Sequence, residues 1–97
     1  MPTTKSPAPR RLKDLVSVGP ATLADLTRLG VRSVEELAQH DARELYLRLS
    51  ELDKRRCDPC VEDVFRAAIA QARDPMLPRA QRNWWYWSRV RKREHRP

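Results

Sequence analysis

The chain predicts an all-α fold: one small domain of five to six short helices, opening on an N-terminal helix-hairpin-helix. Three observations carry this expectation. Apolar residues recur at helical spacing from Leu12 to Ala72. Helix-start signals repeat along the chain: Pro20 after Gly19, Ser33 three before Glu36, Asp41 three before Glu44, and Asp58 before Pro59. No segment alternates apolar and polar residues over a strand's length between turn signals. With 97 residues, the core is modest and net stability is on the order of 5 kcal/mol. A homodimer contact or a bound partner therefore has room to contribute.

Residues 1–9 are rich in Pro, Ser and Thr and predict a disordered lead-in. The helical domain is expected over 10–88 and a basic tail over 89–97. The first helix is expected from about Arg10 to Val16, with Leu12, Leu15 and Val16 facing inward. Ser17-Val18-Gly19 makes the hairpin. The second helix follows at once from Pro20 to Leu29, burying Leu23, Leu26 and Leu29, and Gly30 closes it in a left-handed conformation. Ser33 and Glu36 form a capping box for a helix over Val34 to Gln39. Asp41 and Glu44 form another for a helix with Leu45, Leu49 and Leu52 on one face. That helix ends near Lys54-Arg55-Arg56, cations suited to the negative end of the helix dipole. Asp58-Pro59 starts the fifth helix, whose wide apolar face is Val61, Val64, Phe65, Ala68, Ile69 and Ala72, and Asp74-Pro75 stops it near Arg73. Trp84-Trp85-Tyr86-Trp87 begins a last short helix or turn.

The net charge is +7, unevenly spread. Lys5, Arg10, Arg11 and Lys13 against Asp14 make residues 1–19 basic. Residues 20–78 are slightly acidic. Arg79, Arg82, Arg89, Arg91, Lys92, Arg93 and Arg96 against Glu94 make residues 79–97 strongly basic. Cations gathered at both ends favour a polyanion over a small acidic ligand. No apolar run approaches the ~20 residues that span a membrane, and Met1 to Arg10 lacks the apolar stretch of a signal peptide. A cytoplasmic location with no membrane partner is expected, with both cysteines as free thiols.

The hairpin is the first candidate site. A helix start leaves backbone N–H groups without intrahelical acceptors, and these bind phosphate well. The candidates are Val18, Gly19, Ala21 and Thr22; Pro20 has no N–H. Lys13 and Arg11 would add charge. Ser17 stands where such hairpins usually carry a first glycine, so a positive φ there would strain it. The alternative is a plain helical hairpin with no ligand.

Cys57-Asp58-Pro59-Cys60 has the C-x-x-C spacing of zinc and thiol-redox sites. Zinc would need two more ligands, and His40 and His95 are single and distant. The redox reading rests on Cys60 near a helix N-terminus, which lowers a thiol pKa. Asp58 and Pro59 as a helix cap account for the segment without chemistry, and no cofactor is expected. Asp25, Glu35, Glu36, Glu62 and Asp63 read as scattered surface carboxylates, not an acid/base set. The aromatic run divides between core filler beside Phe65 and Ile69 and a platform for bases or a partner. In the second case Arg82, Trp85, Arg89, Arg91, Lys92 and Arg93 are the contact residues.

The ordered set Val16-Ser17-Val18-Gly19-Pro20-Ala21-Thr22, Leu29-Gly30-Val31, Leu45-Tyr46, Asp58-Pro59-Cys60-Val61-Glu62-Asp63-Val64-Phe65-Arg66 and Trp84-Trp85-Tyr86-Trp87 resembles the bacterial pathogenicity-locus family. Some of its members are labelled mitomycin resistance proteins. The family is similar to the C-terminal helical domain of TfoX-type competence regulators. The resemblance covers roughly Arg11 to Trp87. It implies a compact helical domain and a DNA role for the hairpin, and it carries no catalytic residues. The expected function is a non-catalytic, sequence-independent DNA-binding module. The alternative is a protein-interaction adaptor using exposed tryptophans and the hairpin.

Overall fold

The computed structural model describes residues 10–94; the lead-in expected over 1–9 lies outside them. Among the described residues the fold is all-α. A 3-10 turn at Leu12–Asp14 precedes α1 (Pro20–Arg28), α2 (Val34–Ala38), α3 (Ala42–Leu52) and α4 (Pro59–Arg73). A second 3-10 turn at Arg79–Arg82 leads into α5 (Trp84–Glu94).

α4 is the centre. Asp58 accepts the Cys60 N–H at 2.8 Å, and Pro59 stands at the first helical position. α2, α3, α5 and the second 3-10 turn all pack on α4. Phe65, Ala67, Ala68 and Ile69 are buried in it, with Leu26, Leu37, Leu45, Tyr46 and Leu49 supplied by its neighbours. Because helices cover it on so many sides, α4 also buries Glu62, Asp63 and Gln71. The reading of Glu62 and Asp63 as surface carboxylates is therefore corrected. Both are paired, Glu62 with Arg43 at 3.0 Å and Asp63 with Arg91 at 3.0 Å. Among the described residues no buried side-chain nitrogen or oxygen lacks a partner, as burial of polar groups demands.

The caps that sequence predicts are present. Ser33 Oγ accepts the Glu36 N–H at 3.0 Å, and Asp41 accepts the Glu44 N–H at 3.1 Å. Glu36 reaches back one residue further than a capping box requires, to the Arg32 N–H at 2.7 Å. Gly30, at φ 82°, closes α1: its N–H donates to Thr27 O and that of Val31 to Leu26 O.

Three further expectations are corrected. The first helix shrinks to one 3-10 turn. A segment this short does not hold a helix alone, and the backbone of Val16 is claimed from elsewhere. Its N–H donates to Gln71 Oε1 at 2.9 Å and its carbonyl accepts from Gln71 Nε2 at 2.8 Å. Val16 is left exposed. On α3, Tyr46 is buried and Leu52 is exposed. At about 100° per residue, Leu45 and Tyr46 bound the buried arc, Ala42 and Leu49 lie within it, and Leu52 falls about 20° beyond its edge. Finally, the segment expected as an unfolded tail from Arg89 is helical through Glu94. Arg91 on Asp63, and Glu94 on Arg66 at 3.2 Å, tie those last turns to α4.

Candidate nucleic-acid interface

The hairpin turns at Ser17, whose φ is 76°, in the left-handed region that favours glycine. Its hydroxyl is fully engaged. Ser17 Oγ donates to the Arg82 carbonyl at 3.2 Å and accepts the Trp84 N–H at 3.1 Å. The Ser17 side chain thus caps α5 from a distant part of the chain, which no glycine could do. Gln71 adds a second stitch: its Nε2 donates to Val16 O, Ala67 O at 3.1 Å and Arg82 O at 3.3 Å. Sequence reasoning missed the roles of Ser17 as a cap and Gln71 as a clamp. The serine in a glycine's place was the only signal for either.

The hairpin donors divide. Val18 is removed from the set: its side chain is buried, and its N–H closes the turn by donating to Leu15 O at 3.2 Å. Gly19 is the N-cap of α1, extended at φ −94° and exposed, and its carbonyl takes the Leu23 N–H at 2.9 Å. The N–H groups of Gly19, Ala21 and Thr22 have no acceptor among the described residues. They sit at the positive end of a nine-residue helix. Apart from Gly19 itself and its two chain neighbours, no atom lies within 4 Å of where a Gly19 Cβ would stand, so the approach is open.

Arg11 and Lys13 are exposed on the first 3-10 turn. They line a surface groove with Leu23, Thr27 and Arg32, along the flank of α1. No hydrogen bond ties either side chain to the hairpin donors among the described residues.

None of the four consecutive aromatics is fully buried. Trp84 and Trp85 are 39% and 40% exposed. Trp87 is half-buried, stacks edge-on with Tyr86 at 5.1 Å, and donates its indole N–H to Gln81 O at 2.7 Å. The Arg89 guanidinium lies over the Trp85 ring, 4.8 Å from its centre. Arg89, Lys92 and Arg93 are exposed and have no carboxylate partner among the described residues. Arg91 does not belong with them. It grips the buried Asp63 through Nε and Nη2 at 3.0–3.2 Å. Arg82 is partly spent as well, its Nε donating to Leu77 O at 2.8 Å.

Cys57 and Cys60 are both free and half-buried. Burial and then the Asp58 carboxylate push the Cys60 thiol up, opposite to the depression expected at a helix start. Burial disfavours the charged thiolate. Among the described residues no group of three or more His, Cys, Asp or Glu side chains could hold a metal. None of their helices is long and apolar enough to cross a membrane.

Nearly all of this surface falls within a stretch shared with known proteins. The family model described as Pathogenicity locus matches residues 5–93. A protein of Streptomyces lavendulae named mitomycin resistance protein McrB is 37% identical over 82 residues, 84% of this chain and 74% of that protein. No solved structure matches the chain.

Proposed function

The chain belongs to the pathogenicity-locus family, and from that premise we propose that it is a non-catalytic DNA-binding module that grips the phosphate backbone without reading sequence. The observation that carries the proposal is the set of N–H groups on Gly19, Ala21 and Thr22, unpaired among the described residues, with Gly19 and Ala21 exposed and Thr22 half-buried. A phosphate oxygen placed there gains charge-assisted hydrogen bonds and the helix dipole together. The exposed cations Arg11 and Lys13, and those of α5, add positive charge to the footprint. Such backbone contacts alone correspond to a Kd of about 10⁻⁴–10⁻⁶ M at physiological salt.

Gly19→Asp is the direct test. Asp is a preferred N-cap residue and its side chain has room. It would take the Ala21 or Thr22 N–H itself and set a negative charge where the phosphate belongs. Binding to a labelled duplex, followed by anisotropy, is expected to fall while the melting temperature holds or rises. Unchanged duplex binding by Gly19→Asp would refute the hairpin reading. The half-exposed Trp84 and Trp85 favour a second reading, a protein-interaction adaptor. An aromatic interface of that kind keeps its affinity as salt rises, whereas phosphate binding collapses.

A further inference from the structure

We infer that the outer face of α5 is a stacking platform for unpaired bases, so that the preferred ligand is DNA with a single-stranded segment beside a duplex. The inference rests on the hairpin reading for the duplex side and adds the class of substrate.

Trp85, Arg89, Lys92 and Arg93 stand at i, i+4, i+7 and i+8 and share one helical face. All four are exposed. At 1.5 Å per residue the stripe is about 12 Å long. It starts beside the hairpin, because Ser17 Oγ holds the first N–H of α5 at 3.1 Å. Gly19 is two residues from Ser17, so the phosphate donors and the stripe begin on the order of 10 Å apart. One strand of DNA covers that distance in about three nucleotides. A single backbone can therefore pass from one to the other.

The charge fits a polyanion. Glu94 is the only carboxylate in residues 79–94, and Arg66 holds it at 3.2 Å. Nothing acidic on α5 is left to repel a phosphate, and Arg89, Lys92 and Arg93 remain outward. The aromatic component selects the state of the bases. In a blunt duplex the faces of the bases are stacked on each other, and a tryptophan ring has nothing to lie against. An unpaired base offers its face, and stacking of this kind tolerates any sequence. The Arg89 guanidinium covers one face of the Trp85 ring, 4.8 Å from its centre, so a base stacks on the other face or on the planar guanidinium itself.

The test uses the full chain and three labelled probes at one salt concentration: oligothymidine, a blunt duplex, and a duplex with an unpaired thymidine overhang. Wild-type protein is expected to bind the overhang probe tightest, and oligothymidine is expected to quench tryptophan emission. Trp85→Ala should weaken oligothymidine and overhang binding about 5- to 150-fold and leave the blunt duplex unchanged. Trp85→Phe should restore most of the loss. Trp85 is 40% exposed, and a melt of each variant checks the fold. An equal effect of Trp85→Ala on all three probes, no effect on any, or no quenching by oligothymidine overturns the inference. Gly19→Asp reports separately. If it spares blunt-duplex binding while Trp85→Ala still weakens oligothymidine, the hairpin reading fails and the platform stands.

Discussion

Arg91 and Lys92 are neighbours in a run of cations, and the structure gives them opposite weights. Arg91 reaches inward to Asp63, whose side chain is fully buried while that of Arg91 is 17% exposed. Arg91→Ala would leave a carboxylate in the core with no counter-charge. Removing one member of a buried pair costs about 3–5 kcal/mol, and the partial exposure of Arg91 places this pair near 3. Against the 5–15 kcal/mol typical of a domain this size, that is a large share, and it lowers the melting temperature by about 12–24 °C. Lys92→Ala and Arg93→Ala remove exposed charges and should stay within about 0.5 kcal/mol of wild type. Replacing both partners, Asp63→Leu with Arg91→Met, should recover much of the loss, because an apolar pair needs no compensation. Urea titration and thermal melts followed by circular dichroism measure all of this. If Arg91→Ala melts within the range of Lys92→Ala, the pair does not hold α5 on α4, and the reasoning is wrong.

Among the described residues two non-glycine residues have positive φ, Ser17 at 76° and Lys54 at 53°, and they should answer differently to glycine. Lys54 closes α3 in a left-handed cap, its N–H donating to Glu51 O and that of Arg55 to Ser50 O, so Lys54→Gly should gain about 1 kcal/mol. Ser17→Gly relieves similar strain and forfeits two hydrogen bonds worth about 1 kcal/mol each, so its urea midpoint should stay level or fall; an equal gain at both sites would contradict this account. Acid should weaken the fold through Asp58 and Asp53. The Cys60 N–H holds the Asp58 carboxyl below its usual range, and the Arg28 hydrogen bond does the same for Asp53. Groups depressed in this way lend stability above the unfolded carboxyl pKa of about 4 and lose it as pH falls through the lower folded value. Asp58→Asn keeps an acceptor for the cap and removes one titrating group, so its stability should decline less steeply below about pH 4.

What could be read from the sequence was local. Asp58-Pro59 and Asp74-Pro75 bracket α4 at its true ends, and Ser33, Asp41 and Gly30 mark caps whose chemistry lies within three or four residues. The free donors on Gly19, Ala21 and Thr22 were legible for the same reason, since a helix start implies them. The failures are long-range. The first helix yields to Gln71, 55 residues from Val16. The helical run from Arg89 to Glu94 depends on Asp63 and Arg66, each 28 residues from its partner. A string of like charges gives no local sign that one of them is bound to a buried acid. Leu52 and Tyr46 exchanged places because helical periodicity fixes a face only to within one residue at its edge.

The basic character of the chain is a poor guide to its surface until the structural arginines are set aside. Arg48 donates to Leu29 O at the end of α1, Arg73 to Ala38 O and His40 O at the end of α2, and Arg10 to Gln71 O and Ala72 O at the end of α4. These cations complete helix C-termini, where backbone carbonyls lack partners. Arg28, Arg43, Arg66 and Arg91 are held by carboxylates. The carboxylates in those pairs are Asp53, Glu62, Asp63 and Glu94, and the last three give the arrangement its functional consequence. Because Glu62, Asp63 and Glu94 are neutralised from within, they do not oppose the cations on the outer face of α5. The segment reads as a mixture of signs in sequence, yet it presents Arg89, Lys92 and Arg93 unopposed beside Trp85, next to the hairpin whose donors are free.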